Sequence, residues 1–460
     1  MILSKEQINR YLRHIIMPEI SGQGQKKLLE SKVYIYGENV KELISLVLYL
    51  SAMGIGTIYC SLKDEKGYEK LFFEVKDLNN DVKIGLINDS TLEPDFIVVQ
   101  GSSKYVNKTV KSFKHIFVPT IVSVINQWKA LFKTFNKSSD LLEFIELLNE
   151  NDNSSALPFV SSLTGAISSL GVVKLCLNLG NTCDNILSVD IFNMEFVYYN
   201  NRETAQAVDS LIKTENTCYD ELNKKLSEAK VLIIGAGGLG SPVLLGLSMA
   251  GIGTLGLVDS DKVELSNLNR QVLHSISRIG IPKAESAKFF LMKINPKLNI
   301  NTYVEDLTEN NVNEIIADYD LVVSAVDNIQ TRYLINDSCY FMKKAVIEAG
   351  VLRFDGTNTT IIPDKGHCYR CLYPNLGSSG MSCSETGVLG AVPGVMGFIQ
   401  AAEAFKVITG VGKTLKNKIL LFDGLEMEFN IIDLEKNPEC PLCGENSKMA
   451  LDNSNLNCLG

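Results

Sequence analysis

The sequence predicts an α/β chain of two doubly wound domains, each a parallel sheet with helices on both faces. Three observations predict it: an internal repeat, helix-length apolar segments alternating with short β-branched runs, and a length of 460 residues. At about 100–200 residues per domain, that length holds two or three domains. With 45% hydrophobic and 21% charged residues there is material for a sizeable core. Disordered and collagen-like chains are excluded as whole-chain descriptions.

The repeat orders the elements. Residues 31–60, SKVYIYGENVKELISLVLYLSAMGIGTIYC, parallel residues 229–258, AKVLIIGAGGLGSPVLLGLSMAGIGTLGLV. Each reads as a β-branched run, a turn, an apolar helix-length segment, and Gly-Ile-Gly-Thr opening a second apolar run. Further on, residues 164–197 parallel 396–429; both show a helical apolar period, a Gly-containing turn and a strand ending in Met-Glu-Phe. Two matches in the same order point to a duplicated α/β unit. The boundary falls in the polar stretch 200–220, which divides the chain into residues 1–213 and 214–460.

The run from Leu43 to Gly56 is shorter than the ~20 residues that cross a bilayer and reads as a buried helix. The start, MILSKEQINRYLRHII, carries charges throughout and has no apolar core followed by a cleavage site. No membrane segment is expected. Lys and Arg number 44 against 53 Asp and Glu, a net charge of −9, which argues against a whole-chain nucleic-acid binder. The 11 cysteines are odd in number, and four of them form two Cys-x-x-Cys pairs. That pattern fits a reducing cytoplasm and a metal site better than a disulfide framework.

The two copies differ in chemistry. Gly235, Gly237 and Gly240, with Gly238 between them, follow the first strand of the second copy in a G-x-G-x-x-G spacing. Such glycines permit a tight turn and let phosphate approach backbone N–H groups at a helix start. The same turn in the first copy reads Gly-Glu-Asn-Val-Lys-Glu, whose side chains fill the space a phosphate needs. By themselves the glycines also suit a Rossmann unit for NAD or FAD, and Asp259 suits ribose in either case. The following segment, DSDKVELSNLNRQVLH, separates the readings: Asn267 and Arg270, then Lys283, gather donors and cations close after the second strand, with Asp261 a further nucleotide-binding candidate beside Asp259. A triphosphate with a departing pyrophosphate uses such groups, whereas a dinucleotide held at a helix N-terminus does not need them. Asp327, after the run LVVSAV, is placed to hold Mg²⁺.

Cys368 and Cys371, with Cys440 and Cys443, form two knuckles whose thiolates can share one Zn²⁺ in a closed, structural site. A redox pair is the weaker alternative. Cys383 lies in the polar stretch SSGMSCSETGVLG, where a thiol beside an electrophilic acyl group can act as nucleophile.

Together, GAGGLGS, DSDKVELSNLNRQVLH, GIPKAESAK, SAVDN, CYRCLYP, CSETGVLG and CPLCG resemble the ThiF/MoeB/HesA family, bacterial relatives of ubiquitin-activating enzymes, over residues 216–446. The resemblance implies two Rossmann-like domains forming an intramolecular pseudo-dimer, with a Cys₄ zinc site in the second. It implies ATP-dependent adenylation of the C-terminal glycine carboxylate of a small ubiquitin-like or sulfur-carrier protein, followed by transfer to a thiol or other sulfur nucleophile. It assigns the glycine turn to phosphates, Asp259 to ribose, Arg270 and Lys283 to the triphosphate, Asp327 to Mg²⁺ and Cys383 to a thioester or persulfide.

Residues 4–29, SKEQINRYLRHIIMPEISGQGQKKLL, match the family's leading segment, whose second arginine reaches the partner subunit's ATP in symmetric dimers; here it is Arg13. Aligning the first strands puts Leu211 at the same place in the second copy. Residues 1–213 are thus expected to be an inactive domain supplying Arg13 in trans, and residues 214–460 the active one. A cytoplasmic monomer is expected. Adenylation of a ribosomally made peptide, or a non-catalytic nucleotide-binding scaffold, are the alternatives.

Overall fold

The computed structural model describes residues 2–88, 93–113, 118–148, 156–212, 219–374, 386–445 and 447. The first half builds β1 Lys32–Asn39, β2 Thr57–Asp64, β3 Lys83–Leu86, β4 Phe96–Gly101, β5 Thr120–Asn126, β6 Lys129–Phe135, β7 Ile186–Asp190 and β8 Glu195–Tyr199. The second builds β9 Lys230–Ile234, β10 Thr254–Val258, β11 Asn299–Tyr303, β12 Leu321–Ser324, β13 Ala345–Leu352, β14 Asp355–Ile361, β15 Lys418–Asp423 and β16 Glu428–Asp433. The orders coincide: β3-β2-β1-β4-β5-β6-β7-β8 and β11-β10-β9-β12-β13-β14-β15-β16. The duplication read from sequence is therefore a duplication of topology.

Contrary to the parallel sheets that the alternation of strands and helices predicts, neither sheet is parallel throughout. Only the first five strands of each order are parallel; β5 to β8 and β13 to β16 pair antiparallel, so both sheets are mixed. The reason is local. Two residues separate β5 from β6 and β13 from β14, and Gln127 and Arg353 take positive φ there, 45° and 55°. A connection that short makes a hairpin, because a parallel crossover needs a dozen or more residues.

The run from Leu43 to Gly56 becomes the helix Val40–Met53, almost wholly buried and closed by Gly54 in the left-handed region. Two longer helices, Pro158–Leu177 and Ala391–Thr409, have the length and composition to cross a bilayer, yet most of each is buried inside the fold. They pack against each other, with Val40–Met53 and Gly240–Ala250 flanking them. Their apolar residues face neighbours all round, which explains the weak amphipathic period.

This helix pair joins the halves. Trp128, 1% exposed, meets Phe159 and Phe192 of its own half and Phe405 of the other. Phe196 stacks on Phe429 at 4.3 Å, and the Tyr198 hydroxyl donates to the Met427 carbonyl at 2.8 Å. Lys174 and Lys406 occupy the same place in the matched segments 164–197 and 396–429. Each crosses over: Lys174 Nζ donates to the Gly424 carbonyl at 2.8 Å, and Lys406 Nζ to the Ile191 carbonyl at 2.9 Å. Burial pushes both ammonium groups down, Lys174 to about 8. Lys406 also pairs with Glu403 at 2.6 Å, both fully buried, a desolvated charge that only its partner makes tolerable.

Candidate functional site

The strand order reverses between β9 and β12, and the carboxyl ends of these strands open the crevice where doubly wound sheets bind ligands. The glycine turn leaves β9 there and leads into the helix Gly240–Ala250. Gly235 has φ 101°, and a Cβ on it would stand 2.6 Å from the Ala325 carbonyl; one on Gly240 would stand 1.8 Å from the Gly235 carbonyl. No side chain fits at either place. A Cβ on Gly238 would stand 3.3 Å from Pro393 Cβ and 3.7 Å from Arg270 Cδ, and one on Gly237 would stand 3.5 Å from Gln271 Nε2.

The sequence-predicted acids and bases converge on this turn. Ala236 N–H donates to Asp259 Oδ2 at 2.7 Å, and Asp261 N–H donates to Asp259 Oδ1 at 2.9 Å. Burial raises the Asp259 carboxyl above its ordinary range, against the opposing charge of Lys283. Lys283, the first residue of the helix Lys283–Ile294, pairs with Asp261 at 2.7 Å while its own side chain is 9% exposed. Arg270 Nη1 donates to Ser266 O and Asn269 Oδ1, both at 2.9 Å. Asn267 uses its Oδ1 locally, accepting from Glu264 N–H at 3.1 Å. Asp327 stands exposed just beyond β12, ahead of the helix Ile329–Phe341.

His274 ends the motif DSDKVELSNLNRQVLH, where its sequence position gives it no site role. It is 1% exposed, and burial pushes its ring down to about 3. A carbonyl can only accept, so Nε2–H donates to Ala236 O at 2.9 Å, and neutral Nδ1 accepts from the Ser286 hydroxyl at 2.9 Å. Ser286 lies one turn beyond Lys283. The glycine turn, Asp259, Asp261, Lys283, Ser286 and His274 thereby close a ring around one end of the crevice. Nothing in the linear spacing singles out this histidine.

The first half supplies another wall. Residues 10–14 press on residues 269–270 and 387–390: Val388 N–H donates to Arg13 O at 3.2 Å, and Asn269 Nδ2 to Arg10 O at 3.0 Å. Gly390 N–H donates to His14 Nε2 at 3.2 Å, so Nδ1–H donates to Gln25 Oε1 at 2.9 Å. Burial carries His14 down to about 4, and Arg270 adds its charge in the same direction. Arg13 itself is half-buried in the short helix Leu12–Ile15. Leu211 does not occupy a matching place in space. The helix Thr204–Ile212 lies on β5, β6 and β7 of the first half, where Leu211 is 1% exposed in that half's core.

The four knuckle cysteines come together, their Sγ atoms all within 4.8 Å of one another. Separations of 3.9 Å for Cys368–Cys371, 3.5 Å for Cys368–Cys440 and 3.3 Å for Cys371–Cys443 compare with about 3.8 Å for four thiolates bonded tetrahedrally to zinc. The donor set therefore fits a closed zinc site. Arg370 fixes the first knuckle to the helix Ile329–Phe341 through a bidentate pair with Asp337 at 2.8 and 2.7 Å. Tyr369 N–H adds a bond to Asn336 Oδ1 at 2.8 Å. Zinc would thus brace the helix that follows Asp327. Cys383, named as a nucleophile from sequence, lies outside the described residues.

Residues 209–442 match the ThiF family. The chain is 43% identical over 223 residues to a SAMP-activating enzyme E1 of Haloferax volcanii, covering 48% of this chain and 82% of that protein. It is 44% identical over 232 residues to a sulfur carrier protein adenylyltransferase of Thermus thermophilus, covering 49% and 86%. An adenylyltransferase and sulfurtransferase MOCS3 of Culex quinquefasciatus is 40% identical over 253 residues, covering 54% and 57%.

Proposed function

The chain belongs to the ThiF family, and from that premise we propose that it is an adenylyltransferase. It activates the C-terminal glycine carboxylate of a small ubiquitin-like or sulfur-carrier protein with ATP. The carboxylate oxygen bonds to the α-phosphorus, the bond to pyrophosphate breaks, and the acyl adenylate then yields its acyl group to a sulfur nucleophile, AMP leaving. Relatives named for SAMP activation and for sulfur-carrier adenylylation support the substrate class. The observation that carries the reading is the convergence of the glycine turn, Asp259, Lys283 and Arg270 at the switch point, walled by residues 10–14 of the other half.

In this reading residues 214–460 hold the nucleotide and residues 1–213 complete its site. Gly235, Gly237, Gly238 and Gly240 admit phosphates to the backbone; Asp259 takes the ribose; Asp261 and Asn267 hold the loop beyond β10. Arg270, Lys283 and, in trans, Arg13 take negative charge as pyrophosphate departs. Asp327 holds Mg²⁺, which would supply further neutralisation of that charge. Cys368, Cys371, Cys440 and Cys443 hold structural zinc, and Cys383 is the acyl or sulfur acceptor. One chain contains both halves of the interface and acts as a monomer.

The test is exchange of labelled pyrophosphate into ATP with a carrier protein ending in Gly-Gly. Exchange that requires the carrier and stops when its last glycine is deleted is expected. No exchange with any Gly-ended carrier or peptide would overturn the reading.

A further inference from the structure

The segment carrying Arg13 reaches the site by a second route, through Asn269. That residue is fully buried, at 0% exposure, between the halves. Its Nδ2–H donates to the Arg10 backbone carbonyl at 3.0 Å, and its Oδ1 accepts from Arg270 Nη1 at 2.9 Å. An amide is planar with donor and acceptor at opposite corners, so fixing one end on the first half directs the other. The backbone cannot slide away: a Cβ on Gly390 would stand 2.2 Å from the Asn269 carbonyl, so residue 269 lies tight against the start of the helix Ala391–Thr409. From there the Arg270 side chain runs past Gly238 of the glycine turn, its Cδ 3.7 Å from that residue's Cβ position.

We propose that Asn269 is a positioning residue that uses the first half's backbone to aim Arg270 at the phosphate end of the nucleotide. This rests on the adenylation reading of the site. The first half then makes two separable contributions. One is a side chain, Arg13. The other is the carbonyl of Arg10, which no side-chain replacement removes. Arg10's own guanidinium is directed elsewhere, donating to the Leu78 carbonyl at 2.8 Å. A degenerate half that has shed its glycine turn still has to keep its first helices in place, because Arg270 is aimed through them.

The test is a double-mutant cycle in the full chain, with Asn269→Ala, Arg270→Ala and the pair, titrated calorimetrically with ATP and separately with AMP. Asn269→Ala should weaken ATP about tenfold and leave AMP within about twofold, since AMP lacks the β- and γ-phosphates. In the Arg270→Ala background it should add no further loss. Asn269→Leu nearly keeps the volume, adds no charge, removes both the donor to Arg10 O and the acceptor for Arg270, and should show the same ATP-selective loss; it carries the test if the alanine variant does not fold. Losses that add, or equal weakening of ATP and AMP, would overturn the positioning role. Wild-type protein that binds no ATP would instead overturn the adenylation reading.

Discussion

Counted from Lys32 and Lys230, the two halves run alike for five residues and then part. β9 stops at Ile234 after 5 residues, and a glycine turn leads to a helix of 11. β1 continues for 8 residues to Asn39, and a helix of 14 starts at once, capped by the Asn39 side chain on Glu42 N–H. The first half has drawn its strand and helix into the space where the second keeps a loop. Glu38, standing where Ala236 stands in the second copy, turns its carboxylate onto Ser102 N–H at 2.9 Å and Lys63 at 3.1 Å. That carboxylate sits at the start of the helix Ser103–Lys111, whose N-cap is Ser102. In the proposed division of labour, the first half gives up a nucleotide site by extending regular structure, with the sheet order untouched.

The sharpest way to break this contrast is Arg13→Ala. If the first half is kept for its leading segment, pyrophosphate exchange should fall on the order of 10³-fold with circular dichroism and zinc content unchanged. Near-normal exchange would remove the division of labour. Next comes the zinc site, for which the described residues show no counterpart in the first half. Cys371→Ser should release the metal, seen by atomic absorption, and lower the unfolding midpoint by about 5 °C. Bound zinc retained at one per chain would contradict the four-sulfur assignment.

A third measurement compares the halves through their buried histidines. His14 and His274 sit at about 4 and about 3, both depressed by burial. The unfolded chain protonates each near 6.5, so between about pH 6.5 and 4 it binds more protons than the folded chain. Stability therefore rises with pH across that window and is lost on acidification, by up to about 3 kcal/mol for each ring. Urea unfolding at pH 7 and pH 5 should show the slope, and His14→Gln should remove about half of it. The smallest effect belongs to Glu38→Gln, which should cost about 1 kcal/mol at the helix start. Equilibrium dialysis should still count one ATP per chain; a second bound nucleotide would mean that Glu38 alone closes the first half.

Much of this was legible beforehand because it is written in short spacings. The glycine turn, the Cys-x-x-Cys pairs and the paired repeats each fall within a few tens of residues. The antiparallel half of each sheet was not, because Gln127-Trp128 and Arg353-Phe354 lack the Asn-Gly or Gly signals that mark tight hairpins. The two core helices kept their helical period only faintly, since every face of them is covered. His274, Asn269 and the crossed lysines act through partners tens to hundreds of residues away, and their roles exist only once the chain has closed. His274 is the instructive miss: it stood inside a recognised motif, as one of 4 histidines in the chain, without a neighbour to declare its purpose.

The crossed lysines have a consequence for inheritance. In a pair of separate identical subunits, a damaged copy can be exchanged for a sound one, and a mixed population retains some intact sites. Lys174 and Lys406 anchor each half in the turns of the other, inside a shared core. The halves cannot be reassorted. A fault in either half is carried permanently by the other, so under the proposed function selection on the adenylation site acts on both halves as one.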